Sequence, residues 1–143
     1  MINLDKNSRI SLNIGIIGSK NFKDKDLVFA WLDRLHNELG PFDKVITGRI
    51  GGVDTFGENW AKENNIETKI YFADWTTYGK RATFIRNIFI VDNSDIVIAF
   101  WDDNSSKDTA HAIRITRTSN KPLLVISDKG QVNELLSTIK LSD

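Results

Sequence analysis

Cysteine is absent from the 143 residues, which excludes a disulfide framework and any thiolate metal centre. Two histidines, His36 and His111, are too few for a histidine-rich zinc site, so no metal ligands are expected. Neither sign of charge dominates: Lys+Arg and Asp+Glu each number 19. No basic field therefore points to nucleic acid, and no acidic tail points to a cationic partner. No apolar run is long enough to span a bilayer, and the polar start Met1 to Arg9 does not read as a signal peptide, so the expectation is a cytoplasmic protein without membrane contact. What is present is ordinary for one globular domain with one real core: 41% hydrophobic and 27% charged residues.

Strand-like and helix-like segments alternate along the chain. Residues 1–10 read as an N-terminal extension or an edge piece, and 11–143 as one domain. Ser11 to Ile17 is a buried strand ending at Gly18-Ser19-Lys20. Leu27, Val28, Trp31, Leu32, Leu35 and Leu39 give Asp24 to Leu39 helical spacing, stopped by Gly40-Pro41. Lys44 to Thr47 is a second strand, Gly52 to Asn64 a helix, and Glu67 to Phe72 a third strand. An irregular stretch, Ala73 to Lys80, leads into a helix over Arg81 to Asn93. Asp95 to Trp101 is apolar almost throughout and reads as a buried strand. A polar loop, Asp102 to Asp108, precedes a helix from Thr109 to about Thr118. Pro122 to Ile126 is a last strand, and Val132, Leu135, Leu136 and Ile139 describe a short closing helix. Such alternation predicts an α/β, three-layer Rossmann-like domain with a mainly five-stranded parallel sheet, in the order 3-2-1-4-5. Ligands of such sheets bind beyond the carboxyl ends of the strands, where the strand order reverses.

The stretch Thr47-Gly48-Arg49-Ile50-Gly51-Gly52-Val53-Asp54 stands at one of those ends. Glycine there lets backbone amides approach a ligand, and a helix N-terminus suits phosphate; a tight strand-to-helix connection would also require glycine. The spacing matches neither a Walker A loop nor the dinucleotide fingerprint. Asp54 and Glu58 lie four apart on one helix face, placed for a ribose hydroxyl or for nucleophile or base work in glycosidic cleavage, or simply for compensating the helix dipole. Asp74, Trp75, Lys80 and Arg81 put an acid, an aromatic face and cations in one loop, which suits a nucleotide or an ordinary solvated loop. Arg86-Asn87 interrupts an otherwise apolar helix, so the arginine must meet a phosphate or an acid such as Asp54. Ser106, Lys107 and Thr109 open the next helix, to hold phosphate or ribose or to cap it. His111 is placed for acid–base work or for partial burial; His36 reads as structural. The catalytic candidates are Asp54, Glu58 and Arg86. The binding candidates are Gly18, Ser19, Lys20, Gly48, Arg49, Gly51, Gly52, Asp54, Asp74, Trp75, Lys80, Arg81, Arg86, Asn87, Ser106, Lys107 and Thr109. No cofactor is expected.

Four of these segments together resemble the YspA-type branch of the SLOG superfamily. Gly18-Ser19-Lys20-Asn21-Phe22 is similar to a GSR-x-F start, and Thr47 to Asp54 with Trp60-Ala61 to an SGG-x-RGAD…WA segment. Asp74-Trp75…Tyr78-Gly79-Lys80-Arg81-Ala82…Ile85-Arg86-Asn87 is similar to DW-x-x-YG-x-x-AG-x-IRN, and Ser106 to Thr109 to SKGT. The resemblance spans roughly residues 11 to 126 and extends distantly to the cytokinin-activating LOG phosphoribohydrolases and the DNA-processing Smf/DprA proteins. It implies a domain binding a phosphorylated nucleoside or an NAD- or ADP-ribose-derived signal nucleotide, self-association, and relatives in prokaryotic or phage conflict systems. It implies as alternatives an N-glycosidase or nucleotide hydrolase, or an interaction and assembly module. The sequence departs from the pattern at Arg49 and Gly51, whose residue types are exchanged, at Thr83 and at Asp108, where glycine is usual. The catalytic glutamate of LOG enzymes falls on Ala112. The arginine those enzymes use is matched by Arg86, whose acidic partner is expected to be missing, so LOG-type phosphoribohydrolysis by the same residues is not expected.

Overall fold

The computed structural model describes residues 3–4, 10–101 and 106–136. Its spine is β2 (Ile10–Gly18), which pairs in parallel with β3 (Phe42–Thr47) on one side and β5 (Ile96–Phe100) on the other. β4 (Glu67–Ile70) extends the sheet beyond β3, and β6 (Leu123–Ile126) extends it beyond β5, both parallel. The parallel order β4-β3-β2-β5-β6 is the predicted 3-2-1-4-5. A short β1 (Asn3–Leu4) lies antiparallel to the start of β2.

One correction concerns the closing helix. Residues Val132–Leu136 form β7, antiparallel to β6, and Ile139 lies outside the described residues. The reason is a tight turn: Gly130 adopts φ +77 and the Ser127 amide donates to the Gln131 carbonyl at 2.8 Å. The Ser127 hydroxyl oxygen accepts from the Lys129 and Gln131 amides as well. The chain is thus turned back beside the open edge of β6 before a helix can start.

Helices cover both faces. α1 (Lys25–Glu38) and α2 (Val53–Glu63) enclose a cluster built on Ile14, Ile16, Val45, Ile98 and Trp60. α1 begins where Asp24 accepts from the Leu27 amide at 3.0 Å, and it buries Val28, Leu32 and Leu35. His36 is structural here: its Nδ1 accepts from the Phe42 amide at 3.0 Å, and its ring meets Phe42 and Trp60 edge-on. α4 (Ala82–Asp92) and α5 (Lys107–Thr118) cover the other face over Ile17, Ile46, Val97, Ala99 and Val125. Strands buried on both faces carry near-continuous apolar sequence, which is why β5, IVIAF, is wholly buried. Between β4 and α4 the stretch expected to be irregular contains one helical turn, α3 (Trp75–Tyr78), then a 3-10 turn over Gly79–Arg81. α4 carries the chain from the β4 edge back to the strand beside β2. The order therefore reverses between β2 and β5, and a crevice opens beyond their carboxyl ends.

Candidate functional site

A cleft of about 460 Å³ occupies that crevice. The β2 loop contributes Gly18, Ser19, Lys20 and Asn21, and the β3 loop contributes Gly48, Arg49 and Ile50. Phe72, Ala73 and Trp75 follow β4, Thr83 and Arg86 come from α4, and Ser106, Lys107 and Asp108 open α5. Phe72 and Trp75 are 64% and 58% exposed, unusual for large apolar rings unless they serve a contact.

The floor is built from two loops locked together. The Ser19 carbonyl accepts from the amides of both Phe22 and Val53, at 3.2 and 3.3 Å. Gly52 adopts φ +55, and a Cβ there would lie 2.4 Å from the Ser19 oxygen. The first turn of α2 is likewise engaged: the Asp54 amide donates to the Gly51 carbonyl, and the Asp54 carboxylate turns back to accept from the Ile50 amide at 3.0 Å. The helix thus carries its own anion at its N-terminus. Gly48 is bare for a different reason, since a Cβ would stand 3.0 Å from Arg86 Cδ and 3.4 Å from Asp54 Oδ2.

Beneath the floor lies a buried polar cluster. Arg86, only 4% exposed, donates from Nη2 to Asp108 Oδ2 at 2.5 Å and to Asn87 Oδ1 at 3.3 Å. Asn87 Nδ2 donates to Asp108 Oδ1 at 2.8 Å and to its carbonyl at 3.1 Å, and it lies 3.3 Å from His111 Nδ1. The acid that Arg86 pairs with is Asp108 of α5 rather than Asp54, and Ala112 stands where the LOG glutamate would fall. The charge of Asp108 at the cleft is compensated by Arg86. Arg86 Nε is buried without a hydrogen-bond partner. Asp54 is 2% exposed, and burial pushes its carboxyl up to about 6 against the opposing Ile50 amide bond and Arg86 charge. Burial also lowers the His111 imidazole, with Arg114 adding to the effect and Asp108 opposing it, while the ring stacks on Phe84 at 4.3 Å.

Glu58 is held elsewhere. Arg49 grips it with Nε and Nη2 at 3.1 and 3.0 Å, and Lys62 lies 3.5 Å away. That Arg49 hydrogen bond holds the Glu58 carboxyl below the usual range. Arg49 adopts φ +53, a backbone state that favours glycine, and its guanidinium carbon lies 5.4 Å from the Phe72 ring centre. At α5, Ser106 caps the helix by accepting from the Thr109 amide at 3.2 Å.

Of the binding candidates, Gly18, Ser19, Lys20, Gly48, Arg49, Trp75, Arg86, Ser106 and Lys107 line the cleft. Asp54, Asn87 and Thr109 border a cavity of about 10 Å³ under it. Gly51 and Gly52 shape the floor from outside, Asp74 borders a neighbouring hollow, and Lys80 and Arg81 are exposed on the turn before α4. Sequence reasoning did not include Asn21, Ile50, Phe72, Ala73, Thr83 and Asp108 among the candidates, although all six line the cleft. For Phe72 a signal existed: a large ring at the end of a strand, one residue before the polar loop.

The strand order and the flanking helices define a Rossmann-like α/β domain with a crevice where the order reverses. The YspA, cpYpsA-related SLOG family model matches residues 13–78, from β2 through α3. The Gene 61 protein of Mycobacterium phage D29 is 31% identical over 80% of this chain and 95% of its own length. The chain belongs to the YspA, cpYpsA-related SLOG family. That membership points to nucleotide-related binding or hydrolase activity.

Proposed function

We propose that this protein binds a phosphorylated nucleoside, of the ADP-ribose or NAD-derived kind, in the crevice between β2 and β5. The observation that carries this reading is a single hollow of about 460 Å³ lined by two exposed rings, Phe72 and Trp75, and by Lys20 and Lys107. Aromatic faces suit a base, and the two ammonium groups suit phosphate oxygens. The N-terminal end of α5 adds a favourable dipole to the Lys107 side. Calorimetry with AMP, ADP-ribose and cyclic ADP-ribose isomers tests it. Saturable binding is expected, weakened about tenfold or more by the double replacement Lys20→Gln/Lys107→Gln, as for two charge-assisted contacts. A folded protein with no binding heat and no thermal stabilisation across the panel overturns the reading.

Hydrolysis of an N-glycosidic bond is the second reading, and one observation favours a particular residue for it. Glu58 is held by Arg49 and Lys62, whereas Asp54 has a carboxyl raised toward neutrality. Incubation with nicotinamide mononucleotide or AMP should then release free base, and Asp54→Asn should abolish the release. Unchanged substrate in the wild type overturns it.

A further inference from the structure

Among the described residues that line the main cleft, Asp108 is the lone acid; Lys20, Arg49, Arg86 and Lys107 are the other charged groups. It is the second residue of α5, just behind the Ser106 cap. An acid in the first turn of a helix can serve the dipole from solvent. This one is instead held inward by one donor on each oxygen, Arg86 Nη2 on Oδ2 and Asn87 Nδ2 on Oδ1. A carboxylate oxygen has two lone pairs, so each keeps one for a further donor, and the side chain is still 26% exposed. Lys20 and Lys107 are exposed, whereas Asp108 is set back against the buried Arg86. A phosphate brought against Asp108 would bring a like charge and only acceptors to a group that itself only accepts. A ribose brings two neighbouring hydroxyls, which match the two oxygens of one carboxylate. Acidic side chains recognise ribose hydroxyls in dinucleotide-binding folds by the same chemistry. With the base against Phe72 or Trp75 and the phosphate at the lysines, the sugar between them is the part left for Asp108.

We infer that Asp108 is a specificity-determining residue of the cleft: it receives the vicinal hydroxyls of the nucleoside ribose and excludes a phosphate from their place. This deepens the nucleotide reading and rests on it. Calorimetry with AMP, 2′-deoxy-AMP and adenosine 2′,5′-bisphosphate tests it, with ADP-ribose as the reference for the nucleotide reading. AMP should bind about tenfold tighter than either analogue, the scale of one hydrogen bond to a charged group. The result is the more telling for the bisphosphate, whose extra charge would otherwise favour it beside two lysines. In Asp108→Asn the Arg86 charge is no longer answered, so the bisphosphate should overtake AMP. That variant leaves a buried cation and loses stability, so Arg86→Met/Asp108→Asn, which removes both charges, provides a second check. There AMP and the bisphosphate should bind within about threefold of each other. If ADP-ribose or AMP binds while the deoxy and bisphosphate analogues bind as tightly as AMP, the inference falls and the nucleotide reading stands. If no member of the panel binds, both fall. Weaker binding of inosine monophosphate with 2′-deoxy-AMP unimpaired would put the amino group of the base at Asp108, and overturns the inference too.

Discussion

The charge on Asp54 is costly to the folded state. Its folded carboxyl titrates near 6 rather than 3.8 because burial outweighs the Ile50 amide and the Arg86 charge. A raised carboxylate means the folded state binds the proton more tightly than the unfolded one. Stability from this group is therefore complete below pH 4 and lost as pH rises through 6, a cost of about 3 kcal/mol above that window. Asp54→Asn keeps an acceptor for Ile50 and removes the charge. Its melting temperature should exceed the wild type's at pH 7.5, and the difference should vanish toward pH 4.5. Arg86 makes the converse case. Replacing it with Met leaves Asp108 without its cation and should cost about 3 kcal/mol or more in urea unfolding. The double variant Arg86→Met/Asp108→Asn should recover much of that loss, because the ion pair's desolvation goes with it. Only half of this cluster was legible in the sequence. A lone arginine in an apolar helix announced that it needed a partner. Which acid answered depended on how α4 and α5 lie side by side, and no spacing along the chain encodes that.

At the scale of elements, the parallel strands were readable because a strand buried on both faces has no polar alternation to confuse it. β7 was not, since Val132, Leu135 and Leu136 fit helical spacing while the decisive feature is the turn at Gly130 and the open edge of β6. The glycine-rich turn was legible in position, while the contacts of each glycine were not. Glycine was expected either to admit a ligand or to allow a tight strand-to-helix connection; Gly48 makes room for Arg86, and Gly52 lets two loops touch, as the second reading requires. The difference can be measured. Gly52→Ala meets the Ser19 carbonyl and strains a positive φ, so it should cost about 3 kcal/mol or more. Gly79→Ala has a similar φ of +56 but nothing within 4 Å, and should cost less, about 1 to 2 kcal/mol from the backbone strain alone. Equal losses in chemical denaturation would remove the packing explanation of the turn.

For the molecule as a whole, the two faces of the sheet are unequally covered. α1 and α2 close over their cluster, whereas α4 leaves Phe84, Ile88 and Phe89 exposed on the other side. With no net charge at neutral pH, the proposed nucleotide binding relies on the placement of Lys20 and Lys107 rather than on a general field. Among the described residues, no helix is long and apolar enough to cross a membrane.

The Ser19 carbonyl, which receives two amides from two loops, makes half of the cleft a rigid block fastened to the sheet. The opposite wall, Trp75 to Arg81, is one exposed turn of helix and a 3-10 turn with few anchors. Opening of these two halves should therefore occur on separate clocks. In deuterium exchange, the amides of Phe22 and Val53 should be retained nearly as long as those of β5, while those of Thr77 to Arg81 exchange early. Ligand should slow the second group and leave the first unchanged, which marks the Trp75 side as the part of the cleft that moves when it is entered.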